Sequence, residues 1–266
     1  PFDDKITVKQ PDAYRIVGKS VARVDIPGKV TGEFTYMQDF KLPGMLHARV
    51  VRPTGMAAKL ESVDDTAARK VSGFIKTVTQ GNFVGVVART EWGAIKAAQA
   101  LQCKWSEWAG LPPMEQVYQD VKKSAIKETV TPKKVGDAPA VIQAVAKTLK
   151  ASYEYPVQTH GSIGPSCSVA DVRKDHAVIW SASQSPHWLQ GQIAKMLGFQ
   201  REQVRIIYVE GAGCYGRNGH EDASADAALL SRAMDKPVRV QWMRADEHGW
   251  DPKAPASVHQ CKGIVD

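Results

Sequence analysis

Val204-Arg205-Ile206-Ile207-Tyr208-Val209 runs without a break into Glu210-Gly211-Ala212-Gly213-Cys214-Tyr215-Gly216-Arg217-Asn218-Gly219-His220-Glu221-Asp222, and an alanine-rich stretch continues to Met234. The β-branched run reads as a strand. The alanine-rich stretch reads as a helix from about Glu221, stopped by Asp235-Lys236-Pro237 because proline disfavours helical backbone in the residue before it. Gly211, Gly213 and Gly216 spell G-x-G-x-x-G between that strand and helix, the spacing of a dinucleotide-binding turn. In such a turn apolar helix residues follow the third glycine at once, whereas Arg217–Asp222 is polar, and the acid expected about 20 positions on falls inside the helix. Nicotinamide binding is therefore the weaker reading. Two others stay open: a tight turn needing positive φ angles, or a loop whose backbone amides closely approach an anion or an oxo ligand.

Upstream, Ala177–Trp180 reads as a strand, and Leu189, Ile193, Met196 and Leu197 form an amphipathic helix ending near Gly198. Val238, Val240 and Trp242 alternate as a further strand, so two strand–helix–strand steps flank the glycine loop. Nearer the N-terminus, apolar runs at Val21–Val24, Met45–Val51, Phe74–Val78 and Phe83–Ala88 read as strands separated by glycine and proline. One helix carrying Trp92, Ile95, Ala98 and Leu101 interrupts them before the strand-like Leu101–Trp105. Pro112, Pro113, Pro132 and two lysine pairs mark residues 111–140 as a surface connection. The expected class is α+β, with one domain over 1–110, a linker over 111–140 and an α/β domain over 141–266.

Composition narrows the function. The net charge of +7 comes from scattered pairs such as Lys122-Lys123, without aromatic interleaving or a DNA-reading motif, which argues against nucleic acid. Cys103, Cys167, Cys214 and Cys261 stand too far apart for zinc or an iron–sulfur cluster. No apolar run approaches the roughly 20 residues of a membrane span. His220-Glu221-Asp222 lacks the second histidine of a zinc helix, since Ser224 stands there, and Glu221, Asp222 and Asp226 read as acids complementing a helix dipole.

Gln184, in Ser183-Gln184-Ser185-Pro186, falls between a strand end and a helix start, with Ser185 placed to cap the helix and Pro186 at its first turn. A neutral amide there either completes the corner or orients an oxo group without adding charge. His160, before the Gly161–Pro165 turn, reads as a hydrogen-bonded structural residue or as a site residue.

Several blocks together resemble a known family. Ser181-Ala182-Ser183-Gln184-Ser185-Pro186, Gln192-Ile193-Ala194-Lys195-Met196-Leu197-Gly198, Val204-Arg205 and the glycine loop occur in the order found in the large subunit of xanthine oxidase and aldehyde oxidase type molybdenum hydroxylases. Gly18–Asp25, Lys29–Gly32, Tyr36–Asp39 and Leu42–Ala48 resemble that family's α/β hammerhead domain. The blocks His160–Cys167, Gly211–Asp222 and Val238–Pro252 look most like its bacterial nicotinate dehydrogenase, isoquinoline oxidoreductase and membrane-bound aldehyde dehydrogenase branch.

The resemblance implies a hammerhead domain followed by part of a molybdopterin-binding domain. It implies molybdenum held by molybdopterin cytosine dinucleotide, with Gln184 bonded to an oxo ligand, Tyr215 and Gly216 beside the metal, and Gly213, Cys214 and Arg217 lining the cofactor. His160, Asn218 and His220 are the implied substrate-pocket residues. Cys214 and Tyr215 depart from the family's usual glycine or serine and phenylalanine. The implied reaction oxidises aldehydes to carboxylic acids with water-derived oxygen, the alternatives being hydroxylation of an N-heteroaromatic ring or a non-catalytic scaffold of the same fold. Implied partners are the remainder of the large subunit, a [2Fe-2S] subunit and a membrane-bound cytochrome c carrying haem c. They suggest the periplasmic face of the inner membrane, with the cytoplasm as alternative. No counterpart of the family's general-base glutamate is present, so this chain alone is expected to be inactive.

Overall fold

The computed structural model describes residues 7–145, 147–216 and 222–264, and divides into compact units over residues 1–35 and 36–266. In the first unit, α1 (Ile26–Thr31) ends at Gly32, whose φ of 78° is the left-handed conformation that glycine adopts without steric cost. Val21–Val24 is not the expected strand. It pairs with no strand among the described residues, Val24 is 98% exposed, and Arg23 Nε turns back to Asp25 Oδ1 at 3.0 Å. β-branched residues alone do not make a strand where no neighbour supplies the ladder.

In the second unit the chain passes through β1 (Leu46–Val50), β2 (Leu60–Asp64), β3 (Phe74–Gln80), β4 (Phe83–Ala88), α2 (Glu91–Ala100), β5 (Gln102–Trp105), α3 (Val117–Lys123) and α4 (Ala138–Ala144). It continues through β6 (Thr148–Tyr155), β7 (Cys167–Val172), β8 (Ala177–Ser181), α5 (Pro186–Leu197), β9 (Val204–Tyr208), α6 (Asp222–Met234), β10 (Val238–Gln241), α7 (Arg244–Trp250) and β11 (Ser257–Ile264). Seven strands form one mixed sheet in the order β3-β4-β1-β10-β7-β8-β9. β8 and β9 run parallel, joined by α5, and β10 lies parallel to β1 and antiparallel to β7. The sheet therefore runs through both segments flanking residues 111–140. β6 with β11, and β2 with β5, make separate antiparallel pairs.

Alternation along the strands divides the core between the two faces. Ala48, Val87, Ala170, Val238 and Val240 pack with Leu189 and Ile193 of α5 and Ala227 and Leu230 of α6. Val84 and Val86 face the other way, against Ala97 of α2. Met37, Cys167 and Val169 form a third cluster with Phe40 and Trp180, whose rings stack 5.4 Å apart.

Local signals set the helix ends. The Thr90 hydroxyl accepts from the Gly93 amide at 3.0 Å and starts α2, and Gly198, at φ 71°, closes α5. Pro186 opens α5 as expected, but the Ser185 side chain makes no capping bond; its amide instead donates to Ser183 Oγ at 3.1 Å. Asp226 is not a helix-dipole acid either. It sits past the first turn of α6 and binds Arg52 Nη2 at 2.6 Å and Trp242 Nε1 at 2.9 Å, a directional interaction that outweighs the few tenths of a kcal/mol from the dipole.

Candidate functional site

Parallel neighbours β8 and β9 both end at the same edge of the sheet, and the chain leaves each by a tight corner. After β8 come Ala182, Ser183 and Gln184, and after β9 come Glu210 and the glycine loop. Crevices beyond the carboxyl ends of such strands are the usual ligand sites of α/β sheets. Here a cavity of about 220 Å³ is lined by Ala182, Gln184, Tyr208, Glu210, Gly211, Gly213 and Cys214.

The corner after β8 is rigid. The Ser183 amide donates to Ser181 Oγ at 3.2 Å, and Ser181 and Ser168 each meet Ser224 Oγ of α6, at 3.0 and 3.1 Å. All three serines are buried. This hydroxyl network spends its hydrogen bonds inside the fold and leaves the Gln184 amide aimed at the cavity, where Nε2 touches Cys214 Sγ.

The loop needs its glycines for different reasons. Gly213 and Gly216 have φ of 110° and 140°, which side-chain-bearing residues rarely adopt. A Cβ on Gly211 would lie 2.8 Å from Ala182 Cβ, so that glycine lets the two corners meet. At Gly216 a Cβ would lie 3.5 Å from His160 Nδ1, its nearest neighbour. The Tyr215 ring folds back toward Gly213 and stays 61% exposed.

His160 is hydrogen-bonded and also lies at the loop. Its buried ring meets the Pro252 carbonyl through Nε2 at 2.7 Å. A carbonyl only accepts, so Nε2 carries a proton and donates. Gln184, Gly213, Cys214, Tyr215, Gly216 and His160 thus gather at one edge of the sheet. Arg217, Asn218 and His220, with Glu221, lie outside the described residues. Glu210 and Tyr208 line the cavity although no motif marks them; their one signal in the sequence is position, at the end of the strand feeding the loop. Among the described residues no cluster of histidine, cysteine and acid groups is placed to bind a metal directly, and no helix is long and apolar enough to cross a membrane.

Residues 118–263 match the molybdopterin cofactor-binding domain family, and residues 31–101 match the α/β hammerhead domain of aldehyde oxidase and xanthine dehydrogenase. The chain belongs to this family of molybdenum-dependent oxidoreductases of the xanthine oxidase type. Among its relatives, a nicotinate dehydrogenase subunit from Pseudomonas putida is 42% identical over 98% of this chain and 23% of its own length. The isoquinoline 1-oxidoreductase beta subunit of Brevundimonas diminuta is 31% identical over 100% of the chain and 35% of its own length. The aldehyde oxidoreductase structure from Desulfovibrio gigas shares the fold, with a TM-score of 0.74 over 90% of this chain and 32% of that one, at 17% identity. The chain thus spans between about a quarter and a third of the length of these relatives.

The cradle fits a pterin-held metal. Gly211 and Gly213 let the loop pack closely, since a Cβ on them would press on Ala182 and Tyr215, and the Gln184 amide brings an uncharged hydrogen-bonding group to the cavity.

Proposed function

We propose that this chain forms the wall beside the metal in the cofactor site of a molybdenum hydroxylase, one that oxidises aldehydes to carboxylic acids with oxygen derived from water. The observation that carries this reading is the convergence of Gln184 and the glycine loop on one cavity at the ends of β8 and β9. When bound, the molybdenum cofactor supplies oxygen transfer and accepts two electrons from the substrate. This chain's residues position it. Gln184 holds an uncharged hydrogen bond at the metal side, Gly213 and Gly216 present bare backbone, and Cys214 and Tyr215 line the approach. His160 stands against Gly216; Arg217 is assigned to the cofactor, and His160, Asn218 and His220 to the substrate pocket. A second reading, hydroxylation beside the nitrogen of an N-heteroaromatic ring, is favoured by the 42% identity to a nicotinate dehydrogenase subunit.

The same proposal includes the cytosine dinucleotide form of the cofactor and a [2Fe-2S] partner as first electron acceptor. A cytochrome c partner at the periplasmic membrane face would come beyond it. Gln184→Ala in the complete enzyme tests the assignment. Turnover should fall by about 10–1000-fold, or roughly 1.4–4 kcal/mol of transition-state stabilisation, with molybdenum content unchanged. Unaltered turnover would remove Gln184 from the site.

A further inference from the structure

Behind the glycine loop, one short helix grips a single segment of chain at several points. Arg244 and Glu247 of α7, with Asp251 just past its end, are spaced i, i+3 and i+7, which brings them along one stripe. Arg244 Nη2 donates to the carbonyls of Ser162 and Ile163, 2.7 Å from each. Glu247, only 2% exposed, accepts from the Ser166 amide at 2.8 Å and the Ser166 hydroxyl at 3.2 Å. Asp251 accepts from Thr159 Oγ1 at 2.5 Å and the His160 amide at 3.3 Å. Buried carboxylates persist only where such bonds replace water, so Glu247 and Asp251 hold one arrangement of residues 159–166 against all others.

That segment meets the glycine loop twice. The Gly164 amide donates to the Ala212 carbonyl at 3.3 Å, and a Cβ on Gly164 would stand 2.8 Å from Ala212 Cβ, closer than side chains approach. Four residues earlier, His160 brings Nδ1 against Gly216, its ring anchored at 2.7 Å on the carbonyl of Pro252, the residue after Asp251. Both contacts are set from α7 and the chain just beyond it.

We propose that α7 positions the glycine loop: Arg244, Glu247 and Asp251 are positioning residues that act through Thr159–Ser166 on Ala212 and Gly216. Their bearing on the cofactor rests on the function proposed above, whereas the mechanical linkage stands on these contacts alone. Among the described residues none of the three is bonded to the loop or lines its cavity, so their effect reaches the loop through the segment.

The test compares Arg244→Ala, Arg244→Lys and Glu247→Gln in the complete enzyme with its native partners. Amide hydrogen exchange is followed over residues 159–166 and 208–216, with β8 as internal reference. Arg244 is exposed, so its replacement places no burden on the core. Arg244→Ala and Glu247→Gln should each speed exchange roughly tenfold in both segments and leave β8 unchanged, while Arg244→Lys restores part of the protection. In the same variants the Mo(V) resonance of reduced enzyme should change shape and recover with lysine. Loosening of 159–166 while 208–216 keeps its protection in both variants would overturn the linkage. Loosening of both segments with metal content, turnover and resonance unchanged would uphold the linkage and overturn the cofactor reading.

Discussion

Arg52→Met isolates the contact that ties the end of β1 to the helix leaving the glycine loop. Arg52 Nη2 lies 2.6 Å from Asp226 Oδ2, with the two side chains 16% and 8% exposed. The same oxygen accepts Trp242 Nε1 at 2.9 Å, and the guanidinium stands 4.4 Å from the Trp242 ring centroid and 5.5 Å from that of Trp250. Methionine keeps much of the volume but leaves the buried Asp226 carboxylate without its guanidinium partner. Breaking one side of such a pair costs about 3–5 kcal/mol, because the stranded charge stays desolvated. The lost stacking over two indoles contributes about 1 kcal/mol, and the effects overlap because they share one side chain. The expected destabilisation is about 3–5 kcal/mol. With an m-value of roughly 3 kcal/mol/M, the urea midpoint should fall by about 1–1.7 M. Asp226→Asn added to Arg52→Met removes the stranded charge while keeping an acceptor for Trp242, so the double variant should regain at least about 1 kcal/mol over Arg52→Met. A cost below about 1 kcal/mol for Arg52→Met, or strict additivity in the cycle, would refute the reasoning.

Other perturbations follow from the same contacts. Gly85→Val should cost about 1–3 kcal/mol by urea unfolding, since a Cβ there would lie 2.8 Å from Leu230 Cδ2 in the core; a neutral result would mean that α6 moves freely on the sheet. Gly216→Val should abolish molybdenum loading or turnover, because φ of 140° is strained for a β-branched residue, while the thermal midpoint stays within a few degrees; full activity would return the loop to a plain turn. Burial pushes the Asp251 carboxyl up, but Lys253, the Thr159 hydroxyl and the His160 amide more than offset it and hold the group below its ordinary value. Its stabilisation is therefore complete above the unfolded value of about 3.9 and is lost as pH falls through the lower folded value. Exchange at Thr159 and His160 should accelerate below about pH 4 in the native protein and lose that dependence in Asp251→Asn; an identical acid profile in both would contradict the assignment.

What was legible in the sequence depended on how local its cause was. α5 announced itself through Pro186, Gly198 and four apolar residues on one face, and β9 through an unbroken β-branched run into glycines. β6 and β11 are not legible because their ladder lies far along the chain, with Thr148 paired to Ile264. Val21–Val24 erred the other way, with strand-like residues and no ladder to join among the described residues. At the site, Gln184 and the glycine loop were visible because corner chemistry is written in neighbouring residues. Glu247 and Asp251 were not, since acids at helical spacing look like any solvated helix face until the fold brings Ser166 and Thr159 onto them.

The central claim, that Gln184 and the glycine loop border the molybdenum, is tested most directly by anomalous scattering at the molybdenum edge from crystals of the complete enzyme. The account predicts one strong peak in the crevice beyond β8 and β9, next to the Gln184 amide and the Gly216 backbone. A peak elsewhere, with that crevice filled by other protein side chains, would contradict it.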